Sequence, residues 1–465
     1  MTSTLLNIGT RGLAAAQGQL ATVGHNIANA STEGYSRQQA QQVAAAGEFT
    51  GAGFFGRGVD LTTVQRRYDR FLAESAASAA MQAAADGARA DALEGLDAAL
   101  AGGESGLGAG IDRLLAAAGD LANRPADAVT RQAFLAAVDG LAARTTDLAT
   151  RFDAMARQVD GQLPLLAGQV NDRLAEVRDL NEQISRAQAL GQPPNDLLDR
   201  RDAAVLALGD SIALRAVPTG DGGLDLFTLA GAPLLVGQRA STLSAAADPT
   251  APPRLALRLD IGGGLSQRLD ADDLGGGRLQ GLLRFRDEDL ATAQARLDTL
   301  ASGVAAAFNA AHAAGFDANG LAGLALMDVQ RDANGAFTGL ASRGLTPAQV
   351  ATAQSASPAP RSDNRNALAL AALGDARDAE GLTFIERHAA LIGEVGLRVQ
   401  GVRQRAEASA AILAEAQSRH QSATGVNLDE EAADLLRFQQ AYQASAKVIQ
   451  ASQALFDSLL SAVGR

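Results

Sequence analysis

No cysteine occurs among the 465 residues of this chain. Disulfides, thiolate metal sites and cysteine nucleophiles are thereby excluded, and an exported protein is compatible with that lack. Tryptophan is also absent, aromatic residues are only 4% of the chain, and Lys447 is the one lysine. So few aromatics offer no stacking platform for single strands. The arginines are interleaved with acids at a net charge of −12, which leaves no basic patch to neutralise phosphates. No apolar run approaches the ~20 residues of a membrane span. The start, Met1 to Asn7 (MTSTLLN), has neither the basic region nor the unbroken apolar core of a secretory signal. An exported protein with this beginning needs a non-standard route.

What is present is alanine and leucine, within a hydrophobic content of 47%. Both are strong helix formers, but alanine buries little surface, so the composition favours long, thin helical packing over one thick core. Leu6, Leu13, Leu20 and Ile27 stand seven residues apart near the start, and Leu428, Leu435, Tyr442, Ile449, Phe456 and Val463 do so at the finish. A seven-residue apolar repeat marks a helix that packs on another helix along its length. Several of the intervening d positions are small: Gly9 and Ala16 in the first seam, Ser445 and Ser452 in the second. Such seams bury modest area within one chain. The simplest arrangement sets the two terminal helices antiparallel, with the rest of the chain looping out.

Between them, the patterns predict an extended stretch over 38–68 and a helix from Tyr68 to about Ala101. A loop at 102–110 and helices at 111–122, 126–159, 163–190 and 195–208 follow. Alternation in Ile212, Leu214 and Ala216, in 224–229 and in Leu255, Leu257 and Leu259 predicts strands. Helix resumes at 287–314, residues 315–361 lack periodicity, and helices return at 364–373, 382–423 and 427–463. The fold class is mainly α with a small β subdomain. It divides into a discontinuous terminal coiled-coil domain (1–36 with 425–465), a long-helix rod domain (37–210 with 286–424) and a β subdomain (211–285).

Chemistry is harder to find. Gly51-x-Gly53-x-x-Gly56 matches a dinucleotide fingerprint, but a strand-like segment follows where that fingerprint needs a helix, so it reads as a turn. Asp317-Ala-Asn-Gly320 and Asp332-Ala-Asn-Gly335 resemble fragments of a calcium loop without its closing glutamate, and also read as turns. The acids and arginines of 194–202 (PNDLLDRRD) could supply an acid–base couple, but capping and ion pairing explain them as well. His25, His312, His388 and His420 are scattered. No catalytic residue, metal ligand or cofactor site is expected.

Residues 24–37 (GHNIANASTEGYSR) resemble the N-terminal signature of bacterial flagellar rod, hook and hook-associated proteins. Gly425–Glu431 (GVNLDEE) and Phe438–Lys447 (FQQAYQASAK) are similar to the C-terminal signature of the hook–filament junction branch of that family. Residues 194–202, 315–320 and 362–366 resemble its internal landmarks, in consistent order. The alternatives are a hook or rod protein of the same family, an exported helical effector or translocator, and an enzyme using the 194–202 carboxylates.

The resemblance implies a structural subunit joining hook to filament, located outside the cell after a transient cytoplasmic stage. It would be exported unfolded by the flagellar type III pathway, with a chaperone on its C-terminal helix, and would fold its termini on assembly. Its partners would be copies of itself in a ring, hook protein below, and a second junction protein and filament above; neither nucleic acid nor membrane is implied. Asn26, Asn29, Gly34, Tyr35 and Arg37 would shape the end of the first helix. Asn427 and Leu428 would start the last one, and Leu435, Phe438, Tyr442, Ile449 and Phe456 would line its seam. Many relatives carry an outer domain between the last two landmarks. Here only 321–361 lie there, too few for a typical domain.

Overall fold

The computed structural model describes residues 2–49, 53–189, 191–251, 253–356 and 362–463. The first helix, α1 (Thr2–Asn29), stops where Asn29 turns its amide back onto the His25 carbonyl at 2.9 Å. Gly34 then takes a φ of 76°, and its lack of a Cβ permits the reversal. Strand β1 (Gln38–Ala44), the short β2 (Glu48–Phe49) and β3 (Phe54–Phe55), and β4 (Val59–Arg66) form a long antiparallel ribbon. Gly51 of the glycine motif lies outside the described residues; Gly53 and Gly56 flank β3, and no helix opens from them.

Helix α2 (Arg70–Leu100) starts at Asp69, whose carboxylate accepts the Leu72 N–H at 3.1 Å. Next come α3 (Leu107–Asn123), α4 (Ala128–Gln188) and α5 (Asn195–Ser211). A four-stranded sheet in sequential order follows, β5 (Leu214–Pro218), β6 (Leu224–Thr228), β7 (Pro233–Val236) and β8 (Arg239–Ala240). A second sheet holds β9 (Thr242–Ala247), β10 (Leu255–Gly262) and β11 (Leu265–Leu269). Helices α6 (Ala271–Leu274) and α7 (Gly277–Arg284) lead through a π-helical turn at Phe285–Leu290 into α8 (Ala291–Ala313). The hairpin β12 (Met327–Arg331) and β13 (Phe337–Ser342), then α9 (Arg365–Ala371), α10 (Phe384–Thr424) and α11 (Leu428–Val463), complete the chain.

The core runs along α4. Its buried stripe of Phe134, Leu141, Phe152, Leu163, Val170 and Val177 joins Leu93 and Leu96 of α2, Phe308 of α8 and Phe285. Each fully buried side chain of this size contributes about 1.5–3 kcal/mol. The π turn brings both Arg286 and Asp289 into the interior. There Arg286 meets Asp160 and the Leu255 carbonyl, and Asp289 holds Arg89 and Arg398 at 2.8 and 3.0 Å.

Four sequence expectations differ from this. Residues 126–159 and 163–190, expected as two helices, are one helix of 61 residues containing Pro164. Pro164 sits on the exposed side, while the buried stripe passes underneath unbroken. Residues 271–284, expected within the β subdomain, are helical. A capping box between Asp270 and Asp273 starts the first turn, and apolar Leu279, Leu282 and Leu283 bury one face of the second. Helix α3 begins at Leu107, inside the expected loop, because buried Leu107 and Ile111 already belong to its apolar face. The segment 315–361 contains a hairpin, whose tip is the Asp332 turn: that carboxylate accepts the N–H groups of Asn334 and Ala336.

Candidate assembly site

Helices α1 and α11 lie antiparallel along one another, Gly9 facing Ile449 and Asn26 facing Glu431. Glycine is what lets them come close. A Cβ on Gly9 would stand 2.7 Å from Ile449 Cγ1 and 3.3 Å from the Ile449 backbone nitrogen, and one on Gly12 would stand 2.8 Å from Ser445 Oγ. Buried Ala16 and Val23 continue that face. On α11, Glu431 is buried, and Leu435, Phe438, Tyr442, Ser445 and Ile449 are half-buried in a stripe stepping by three and four. The β1–β4 ribbon covers a second side of α1. Gly18 faces Leu61, Gly58 approaches the Ile8 backbone, and Arg11 pairs with Asp60 at 2.6 Å.

The heptad leucines of α1 do not fill this interface. Leu6 and Ile27 remain 40% and 37% exposed, and Leu13 and Leu20 are half-buried, on the flank beside the small-residue face. On α11, Leu428 and Phe456 are more than half exposed, as are Leu436, Leu459 and Leu460. The side chain of Val463 lies outside the described residues.

At the inner end of the pair, three distant segments converge on a polar hub. Asn26, buried near the end of α1, has every hydrogen-bonding direction used. Its amide donates to the Gln38 carbonyl at 2.9 Å and to Glu431 Oε2 at 3.1 Å, and its oxygen accepts the Gln38 N–H at 2.9 Å and the Tyr35 hydroxyl at 2.8 Å. Burial, then Asp196, Asp199 and Glu431, push the Tyr35 phenol well above its ordinary pKa, so it stays a donor. Its ring meets His25 edge-on at 5.5 Å.

Arg37 joins the two chain ends. Its Nε lies 2.6 Å from Glu431 Oε1, its terminal nitrogens reach Glu430 and Asp434, and its N–H donates to the Thr424 carbonyl at the end of α10. Burial alone would lower its pKa, but Glu430 and Glu431 outweigh that and raise it, so the guanidinium is held charged. Asn427 caps α11, its side chain accepting the Asp429 N–H at 3.0 Å. Asn29 stays local to the helix end.

The third segment is the charged start of α5. Asp199 accepts the Ser36 N–H at 3.0 Å and pairs with Arg66 at 2.8 Å, while Asp202 takes the same guanidinium at 2.7 Å. Asn195 bonds both the Val64 carbonyl and the Arg66 N–H, Asp196 accepts from Gln38, and Arg201 donates to the Gly222 carbonyl. These carboxylates bind backbone, the Gln38 amide and arginine. Sequence reasoning did not name Glu430, Glu431, Asp199 or Arg66 as site residues, although all but Arg66 fall inside quoted motifs. Their partners are more than a hundred residues away, which no local pattern reveals. The other landmarks also meet: Gly315 lies against Asn366, whose amide donates to the Ala351 carbonyl at 2.8 Å.

A cleft of about 350 Å³ opens between α4, α8 and the β12–β13 hairpin. Its carboxylates are engaged: Asp153 by Arg157, Asp160 by Arg286, Asp298 by Arg331, and Asp332 in its turn. Among the described residues, no group of acids and histidines is placed to hold a metal ion, and no helix is long and apolar enough to cross a membrane.

The chain matches the family model of the flagellar hook-associated protein FlgK helical domain over residues 93–327, half of its length. It belongs to the FlgK family. Residues 6–35 match the flagella basal body rod protein model, and residues 417–462 the C-terminal model of the flagellar basal body rod FlgEFG proteins. These two FlgK segments are the ones that pair as α1 and α11.

The chain is 29% identical to flagellar hook-associated protein 1 of Escherichia coli K12, covering 99% of this chain and 100% of the relative. It is 28% identical to that of Salmonella typhimurium over 99% and 100%, and 25% identical to that of Bacillus subtilis over 100% and 99%. Among solved structures, it resembles the flagellar hook junction protein FlgK from Burkholderia pseudomallei with a TM-score of 0.69 at 18% identity, over 75% of this chain and 99% of that one. The Escherichia coli alignment runs 546 positions against 465 residues here, so that FlgK relative holds segments without a counterpart in this chain. The chain is a structural subunit of the flagellar hook–filament junction.

Proposed function

We propose that this subunit joins hook to filament through a terminal helix pair that its neighbours complete. The observation that carries this is the exposed apolar flank of α1 and α11: Leu6, Ile27, Leu428 and Phe456 project from a pair whose internal contact uses glycine, alanine and serine. In this reading residues 1–36 with 425–465 form the inner domain, packed around the flagellar axis against the same helices of ring neighbours. Residues 37–210 with 286–424, and the β subdomain of 211–285, face outward. Hook protein binds below, and the second junction protein and filament above. The role is packing and not catalysis.

Export as an unfolded chain through the flagellar type III pathway brings the subunit from the cytoplasm to the cell exterior, with a chaperone on the α11 seam beforehand. What supports this is the amphipathic, half-covered character of α11, which suits groove binding. The segment 321–361, with its small hairpin, stands where many relatives carry an outer domain, which makes this a slim junction subunit. The test is electron microscopy of cells lacking the protein. Hooks without filaments, with filament subunits lost to the medium, are expected. Normal filaments on those hooks would overturn the proposal.

A further inference from the structure

We propose that the aromatic tip of the β1–β4 ribbon docks on the distal end of α11 in a second copy of this chain. The inference rests on the ring of copies proposed above and names the surfaces that meet in it.

The tip carries Phe49, Phe54 and Phe55, which are 64%, 79% and 53% exposed. Phe49 and Phe54 stack obliquely at 5.3 Å and form a protruding wedge held by the β2–β3 ladder. Three adjacent phenylalanines in water, in a chain with few aromatics, mark a contact surface. The distal end of α11 is the second apolar feature. Because Gly9 faces Ile449 in an antiparallel pair, Thr2 falls level with about Phe456, so α11 outruns α1 at that end. Leu455, Phe456, Leu459 and Leu460, spaced as i and i+4 ridges, are each half exposed or more there.

Both features stand at the same end of the molecule. Gly58 touches α1 at Ile8 and Leu61 touches it at Gly18, so the ribbon runs toward the α1 N-terminus as it approaches its tip. Within one chain neither feature covers the other, since both remain open to solvent. The wedge carries charges of both signs at its rim, Glu48 with Arg57, and the ridge carries the acid Asp457, which Arg57 can meet. A wedge and a ridge are unlike surfaces. A contact between unlike patches of identical chains is heterologous and runs head to tail, the arrangement that closes a ring around an axis; a two-fold dimer would need one self-matching patch.

The lack of cysteine makes the test clean. Two versions of the full chain, one with Phe54→Cys and one with Leu459→Cys, are co-expressed, and isolated hooks with their filaments are mildly oxidised. A second pairing, Phe55→Cys with Leu455→Cys, guards against poor disulfide geometry at one position. A covalent dimer in the mixtures, absent from either variant alone, is expected. No dimer in either mixture while filaments remain attached overturns the docking and leaves the junction role standing. Dimers of the Phe54→Cys version alone, or links only to a different flagellar protein, also overturn it. Bare hooks in the strain complemented with the unaltered chain would instead count against the junction role.

Discussion

Asn26 and Glu431 are 405 residues apart in the chain and meet at 3.1 Å in its interior. Tyr35, Gln38 and Arg37 close around them, so the end of the first helix and the start of the last are tied by one buried network of hydrogen bonds and ion pairs. A buried network of this kind stabilises when complete and is costly when broken. Replacing Asn26 with Asp removes the donor that faces the Gln38 carbonyl and Glu431 and sets a second negative charge beside Glu431. The expected cost is about 2–4 kcal/mol in the terminal pair. Limited proteolysis should show α11 released early, with the α4 core unaffected. Unchanged cleavage of both would contradict the hub.

Gly9 is the second point of dependence. Valine there would drive a branched side chain into Ile449 and its backbone, so the helices must separate. Overpacking of this kind costs about 1–3 kcal/mol. The same change at Gly24, where a Cβ meets nothing within 4 Å, should have little effect beyond helix propensity. Hydrogen exchange of the α11 amides in the two variants makes the comparison.

Pro164 points the other way. It interrupts the ladder of a 61-residue helix from the solvent side, where alanine would restore the bond to the Asp160 carbonyl. Pro164→Ala should stabilise the chain by about 1–3 kcal/mol, read as a higher Tm. A lower Tm would mean that the ring contributes packing.

His312 gives a pH dependence of fixed sign. Its Nδ1 lies 2.6 Å from the Leu324 carbonyl and its Nε2 accepts the Ala351 N–H at 2.9 Å, so the neutral ring is satisfied and a second proton has no acceptor. Burial lowers its pKa, against weaker opposing effects of the Leu324 carbonyl and Asp317. The unfolded chain takes up that proton near pH ~6.5 and the folded chain only at lower pH. Stability is therefore flat above that pH and falls below it, by up to about 1.4 kcal/mol per pH unit. His388 and His420 are also lowered by burial and add in the same direction. Urea midpoints at pH 5 and pH 8 should differ more in the wild type than in His312→Gln; an equal difference would exclude His312 as a contributor.

Much of this architecture was legible in the residues. The seven-residue spacing of Leu435, Tyr442 and Ile449 and the small residues at Gly9 and Ala16 pointed to an antiparallel terminal pair. What spacing could not decide was which side of α1 closes it. Close approach of backbones favoured the glycine face over the leucine face, leaving Leu6 and Ile27 outside. The break expected between residues 159 and 163 is absent because the buried stripe that carries α4 through it, and past Pro164, is tertiary and has no local signal. The hub was hidden for the same reason: Asp199 reads as a capping or paired acid on its own helix, and its partners Ser36 and Arg66 lie 163 and 133 residues back.

The central claim is that the terminal pair folds against itself through its small-residue face and assembles through its exposed leucines. Ile449 faces α1 within the chain, so a change there would unsettle the pair itself, whereas Leu6 and Ile27 keep 40% and 37% of their surface open on its flank, so changes there disturb it less. The most direct measurement is electron microscopy of cells carrying Leu6→Asp with Ile27→Asp, alongside circular dichroism of the purified variant. The account predicts helix content close to that of the unaltered chain and a cooperative melt, with hooks that bear no filaments. Normal filaments on those hooks would contradict it.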